Sequence, residues 1–161
     1  MECKEEMVKH LKAAIELENQ GLEKFREFAA EAKNPRARLM FERLVKDEEN
    51  HVRFFGTLLM DLEKNGKLDK VTVCSRLEPL TKEDVFDSDA RTNEEITDNY
   101  ISALTYVIKV EEKVYLHFRE LADSSEDEVF KEIFEKMADF EKEHYDSFKE
   151  ELDYTAKAPS S

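Results

Sequence analysis

Four long segments of this chain repeat apolar residues about every 3.5 positions, the spacing of an amphipathic helix with one buried stripe. They cover about residues 4–33, 35–65, 93–123 and 126–154. Gly and Pro number three each among 161 residues, against roughly 12% in an average chain. The many tight turns of a β-sandwich or barrel are therefore excluded. The sequence predicts an all-α fold in which four helices close on one core.

Local signals place the ends of these helices. Asn34-Pro35 predicts an N-cap followed by a first-turn proline, and Gly66 suits the end of the second helix. Capping-box patterns at 92–95 and 125–128 predict the starts of the third and fourth helices.

The stretch between the second and third helices lacks a helical period, apart from a short helix predicted after Thr81. We interpret residues 66–92 as a long crossover between two helix hairpins, and residues 155–161 as a frayed tail. The whole chain, 1–161, then forms a single domain, an antiparallel four-helix bundle with one crossover.

Polar residues interrupt every apolar stripe at a core position. On the first helix, for example, steps of seven pass from Leu11 through Glu18 to Phe25. On the second and fourth helices a Glu and a His stand three residues apart and so share one face. The six residues at these positions are Glu18, Glu48, His51, Glu111, Glu141 and His144.

The chain also repeats itself at an offset of 93 residues, the separation of Glu18 and Glu111. The same offset relates Glu48 to Glu141 and His51 to His144. Three neighbouring acids have no acidic counterpart at this offset and are predicted to be solvated. These are Glu16, Glu49 and Glu143.

Spacing predicts that the four core carboxylates meet in one layer. Within each hairpin the two Glu lie 30 residues apart, as Glu18 and Glu48 do, with the turn midway between them. Each is therefore roughly 22 Å from its turn. Four buried carboxylates at one level repel one another unless cations offset them. Carboxylates with imidazole suit iron or manganese, so the pattern predicts a buried site for two metal ions.

These residues resemble the rubrerythrin branch of the ferritin-like superfamily. The similarity is carried by AAIELENQGLEKFREFAAEA, FERLVKDEENH, VIKVEEKVYLHFRELA and FEKMADFEKEH, and it covers about residues 4–153. The resemblance implies a ferritin-like bundle in which the six core residues bind two iron ions per chain, with manganese or a mixed pair as alternatives. Val114 stands where rubrerythrins typically carry a further Glu, and the rubredoxin-like four-cysteine site is not in this sequence.

The resemblance implies an oxidoreductase that reduces hydrogen peroxide or dioxygen with electrons from an external reductant protein. The alternatives are a ferroxidase or iron-handling protein, a non-catalytic metal-binding sensor, and another di-metal oxidase. Tyr115, one turn from Glu111, is a candidate hydrogen-bond donor to the site or a candidate redox residue. The competing interpretation is that its side chain only packs in the core. Resemblance also implies a homo-oligomer, with a dimer favoured.

The net charge and the two cysteines limit the partners and the kinds of site that we expect. The formal net charge of −14 and a pI near 4.8 disfavour nucleic acids and anionic membrane surfaces as partners. Cys3 and Cys74 form no metal-binding or redox motif. The first residues contain no apolar signal segment, so we expect a cytoplasmic protein.

Overall fold

The fold is built from helices, as the sequence predicts. The computed structural model describes residues 2–65 and 78–157, and every regular element within these ranges is a helix. In chain order the elements are α1 (Glu2–Glu31), α2 (Pro35–Lys64), α3 (Lys82–Val85), α4 (Asn93–Asp98), α5 (Tyr100–Ser124) and α6 (Glu128–Lys157). No helix in these ranges is long and apolar enough to cross a membrane.

The first hairpin joins α1 to α2 through a three-residue turn. The Asn34 side chain accepts hydrogen bonds from the backbone N–H groups of Arg36 and Ala37, each 3.0 Å long. Pro35 occupies the first helical position, where its missing N–H costs nothing. The predicted N-cap is therefore confirmed. At the other end Asn65 caps α2, and Gly66 lies outside the described residues.

The second hairpin joins α5 to α6, and here the predicted cap is wrong. Ser125 does not open α6, because its hydroxyl donates to the Leu121 carbonyl (2.9 Å) and closes α5 instead. The cap is Asp127, whose Oδ1 accepts from the N–H groups of Val129 (2.9 Å) and Phe130 (3.1 Å). A carboxylate is as good an N-cap as a hydroxyl, so α6 begins two residues later than predicted.

The third predicted helix is interrupted. The capping box at Thr92 and Glu95 forms as predicted, but the helix it opens ends at Asp98. Asn99 is extended (φ −131°, ψ 123°), and its side chain accepts from the Ser102 N–H to start α5. Ile101 lies in the first turn of α5 and is 44% exposed.

Part of the crossover packs on α1. Thr81 caps α3 as predicted, accepting from the Asp84 N–H at 3.2 Å. Phe86 follows, and its ring lies on Gly21, where a Cβ atom would come within 2.9 Å of the ring. The Tyr106 hydroxyl donates to the Phe86 carbonyl at 2.9 Å. Residues 66–77 of the crossover lie outside the described ranges.

The predicted frayed tail starts too early, because α6 continues to Lys157; residues 158–161 lie outside the described ranges. The core itself follows the heptad pattern. Most apolar side chains one heptad from the polar core positions are fully buried, namely Leu11, Phe25, Phe41, Phe55, Leu104, Phe118 and Phe134, while Leu58 and Phe148 are partly buried. These residues enclose the polar layer above and below with apolar surface.

Candidate metal centre

The structure places the six polar residues of the stripes in one cluster inside the bundle. Each of the four long helices contributes: α1 one Glu, α5 one Glu, and α2 and α6 a Glu and a His each. Five of the six are buried, with exposed fractions of 4% for Glu18, 3% for Glu48, 9% for His51, 1% for Glu111 and 2% for Glu141. His144 is half-buried.

The cluster divides into two groups of donor atoms that share two residues. One group contains Glu18, Glu48, His51 and Glu141, and the other contains Glu48, Glu111, Glu141 and His144. Within each group all four donor atoms lie within 4.8 Å of one another. Glu48 and Glu141 thus stand between the two groups, while each group has one Glu and one His of its own.

The distances around each imidazole fit a metal ion better than a hydrogen bond. His51 Nδ1 lies 3.6 Å from Glu141 Oε1, 3.8 Å from Glu18 Oε2 and 3.9 Å from Glu48 Oε2. Nitrogen and oxygen ligands each about 2 Å from one ion are spaced in this way.

Several of these buried atoms lack a hydrogen-bond partner. They are His51 Nδ1, Glu111 Oε2, Glu141 Oε1 and His144 Nδ1. A buried polar atom without a hydrogen-bond partner lowers stability by about 1–3 kcal/mol. Four such atoms in one cluster therefore indicate that a bound ligand satisfies them. The residues present are therefore able to hold metal.

Burial makes the carboxyl groups of the cluster weak acids. Loss of hydration raises the pKa of Glu18 to about 7, an effect partly offset by its hydrogen bond with Glu141. Burial, with the Glu18 charge, raises the pKa of Glu141 to about 8. Burial and Glu141 also hold the pKa of Glu111 well above its ordinary value. Without cations, the cluster retains protons near neutral pH.

A carboxylate that the sequence analysis missed faces the second histidine. Asp47 Oδ2 lies 3.1 Å from Nε2 of His144, while Nδ1 of the same ring lies 3.7 Å from Glu111 Oε1. A carboxylate on the outer nitrogen fixes the orientation of a ligating imidazole and raises its basicity. In the 93-residue repeat Asp47 aligns with Phe140, whose ring stacks on His51 with centroids 5.4 Å apart.

The neighbouring acids lie outside the cluster. Glu16 and Glu143 are exposed, and Glu49 pairs with Arg26 at 2.9 Å. Val114 is buried against the core.

Tyr115 is the remaining candidate residue from the sequence. Tyr115 is half-buried with its ring against Tyr145, centroids 6.2 Å apart, and it makes no hydrogen bond within the described residues. Cys74 and the side chain of Cys3 lie outside the described part of the chain.

Comparison with known proteins agrees with this arrangement. The rubrerythrin family model matches residues 9–152, which is most of the chain. No curated protein and no solved structure matches significantly. The chain belongs to the rubrerythrin family.

Proposed function

We propose that this member of the rubrerythrin family is a di-iron oxidoreductase that reduces hydrogen peroxide or dioxygen. The observation that carries the proposal is the pair of overlapping four-residue donor groups with unpartnered buried atoms. Glu18 and His51 would hold one iron, Glu111 and His144 the other, and Glu48 and Glu141 would serve both. Four carboxylates offset the charge of two divalent ions, which explains why four acids share one buried layer.

When bound, a ferrous pair supplies the two electrons that the oxidant needs, and an external reductant protein would restore them. The chain positions the ligands. The ring centroids of Phe55 and Phe148 lie 6.1 Å from those of His51 and His144, respectively. These contacts help to keep the imidazoles in place.

A ferroxidase is the second candidate, and Val114 favours it. The apolar side chain at this position, 4% exposed, leaves six protein ligands. This is the ligand set typical of ferritin-like di-metal sites: one Glu on each of two helices and Glu-x-x-His on each of the others. An enzyme of this kind would oxidise ferrous iron as its substrate.

Separate stopped-flow reactions with hydrogen peroxide and with oxygen test the proposal. The protein is loaded anaerobically with two equivalents of ferrous iron and then mixed with each oxidant. A peroxide reaction at least about tenfold faster, equivalent to a barrier lower by about 1.4 kcal/mol, supports peroxide reduction. A faster oxygen reaction with continued turnover of added ferrous iron supports the ferroxidase.

The variant pair Glu141→Gln and Glu143→Gln provides the matched control. Both acids lie on α6, but Glu141 is buried in the cluster and Glu143 is exposed. The proposal predicts that only Glu141→Gln abolishes iron oxidation. Equal activity in the two variants would overturn it. The resemblance also implies a homo-oligomer, with a dimer favoured, and sedimentation velocity would measure the oligomeric state.

A further inference from the structure

The two halves of the metal centre differ in the residues around their histidines. In the 93-residue repeat, Asp47 is equivalent to Phe140 and Phe54 is equivalent to Ser147. Both positions of the first pair face an imidazole: Phe140 stacks on His51, and Asp47 contacts Nε2 of His144. One half thus carries two phenylalanines where the other carries an acid and a serine.

The phenylalanines cover most of the His51 end, where the imidazole is 11% exposed. The Phe140 ring lies nearly parallel to the His51 ring, at 5.4 Å and 22°. Phe54 meets Phe140 edge-on at 5.8 Å and meets Phe55 at 5.5 Å. It therefore bridges the two rings that flank His51. A cavity of about 370 Å³ outside this layer is lined by Phe54 but not by His51.

The His144 end opens into a cavity instead. This cavity has a volume of about 420 Å³, and His144, Asp47 and Ser147 are among its lining residues. It is wide enough for several water molecules, each of which occupies about 30 Å³ in the liquid. Asp47 and His144 bring polar groups of the metal centre to its lining, which also includes Leu39, Met40 and Phe148.

The rim of this cavity is held by contacts among three helices. Arg36 of α2 and the hydroxyl of Tyr100 of α5 both donate to Glu151 Oε1 of α6, each at 3.1 Å. The Arg36 guanidinium also lies over the Tyr100 ring, 4.2 Å from its centroid. These hydrogen bonds and the cation–π contact hold the rim in place, which keeps the cavity open between α2 and α6.

We propose that this cavity is the port through which hydrated divalent cations and small polar oxidants reach the metal centre. The Phe54–Phe140 layer seals the opposite end. Asp47 and His144 lie at the inner end of the port. There their side chains can replace water molecules in the hydration shell of an arriving ion. An aromatic layer offers no polar group to such an ion and resists its passage. This inference rests on the proposed metal centre.

Metal uptake and release rates test the port directly. Apo protein is mixed with Co²⁺ in a stopped-flow spectrometer, and the absorbance of the bound ion is followed. A chelator then gives the release rate. Ser147→Trp on α6 places a large side chain in the port, and Leu39→Trp does so from a lining position on α2. Thr57→Trp, which fills the cavity outside Phe54, is the matched control.

The port predicts that Ser147→Trp slows uptake and release by the same factor, at least about tenfold, or about 1.4 kcal/mol in each barrier. Two equivalents of Co²⁺ should still bind with unchanged affinity, because only the route is altered. Leu39→Trp should act in the same direction, and Thr57→Trp should leave both rates unchanged. Phe54→Ser, which copies the open half into the sealed half, should restore the rates in the Ser147→Trp background.

The failures are distinguishable. If two equivalents bind to every variant at wild-type rates, the port is wrong and the metal centre stands. Equal slowing by Thr57→Trp would also overturn the port. If the wild-type protein binds no Co²⁺, the proposed function and the port fall together. A tryptophan variant that does not fold leaves the decision to the other wall variant and to Phe54→Ser alone, which should accelerate uptake.

Discussion

Replacing Glu18 with Gln should stabilise the metal-free protein at alkaline pH and have little effect on its stability at acid pH. Glu18 is 4% exposed, and burial raises its pKa from 4.5 to about 7. The folded state therefore binds the proton more tightly than the unfolded state. Below the pKa of the unfolded state, the carboxyl group is protonated in both states and does not lower the free energy of unfolding. Above the pKa of the folded state, the carboxyl group is ionised in both states and the free energy of unfolding is lowered by the full amount. The shift of about 2.5 pKa units corresponds to about 3 kcal/mol.

Gln keeps the shape of Glu but has no proton to lose. The free energy of unfolding of Glu18→Gln, relative to wild type, should therefore rise by about 3 kcal/mol between about pH 4.5 and pH 8. Urea denaturation followed by circular dichroism, with chelator present, measures this difference at each pH. Glu16→Gln, an exposed position on the same helix, controls for loss of one negative charge. A stability difference that does not change with pH would refute the assigned burial cost.

Three further predictions concern the same cluster. Metal binding at pH 7 should release protons, because burial raises the pKa of Glu18 to about 7 and of Glu141 to about 8; calorimetry in two buffers of different ionisation enthalpy measures them, and zero release contradicts the assignment. Metal-free Glu48→Leu/Glu141→Leu should be more stable than the metal-free wild type by about 1–4 kcal/mol and bind no metal; a lower melting temperature would mean that these acids support the fold. Asp47→Asn should weaken binding of one metal ion by about 10- to 100-fold, whereas Asp139→Asn, at an exposed position on α6, should not.

The burial of Glu18 and its partners followed from the sequence, because a heptad step fixes which face of a helix a residue occupies. Equal distances from the two turns then predicted that the four carboxylates meet at one level. Both arguments depend only on helical geometry. The structure brings these residues together with donor atoms within 4.8 Å in each group.

The break at Asn99 was not predictable from the apolar stripe. A capping box marks where a helix begins and carries no information on where it ends. Asn99 is a second N-cap six residues after the first helical residue, and only packing selects between one long helix and two. The prediction that Ser125 caps α6 was wrong for a related reason. Asp127, two residues later, is an equally suitable N-cap, and it forms the cap in the structure.

Asp47 was missed because periodicity identifies the buried face and not its border. The residue lies beside the stripe, where half-exposed side chains are usually solvated. Its contact with His144 depends on how α2 and α6 approach each other, which no single-helix pattern contains.

We propose that two metal ions lie between the four long helices and share Glu48 and Glu141. Anomalous diffraction from crystals of the iron-loaded protein, together with metal analysis of the same preparation, tests it directly. We expect two iron atoms per chain, one beside Glu18 and His51 and the other beside Glu111 and His144, with Glu48 and Glu141 contacting both. A single iron atom, or iron bound at Glu16, Glu49 or Glu143 instead, would contradict this arrangement.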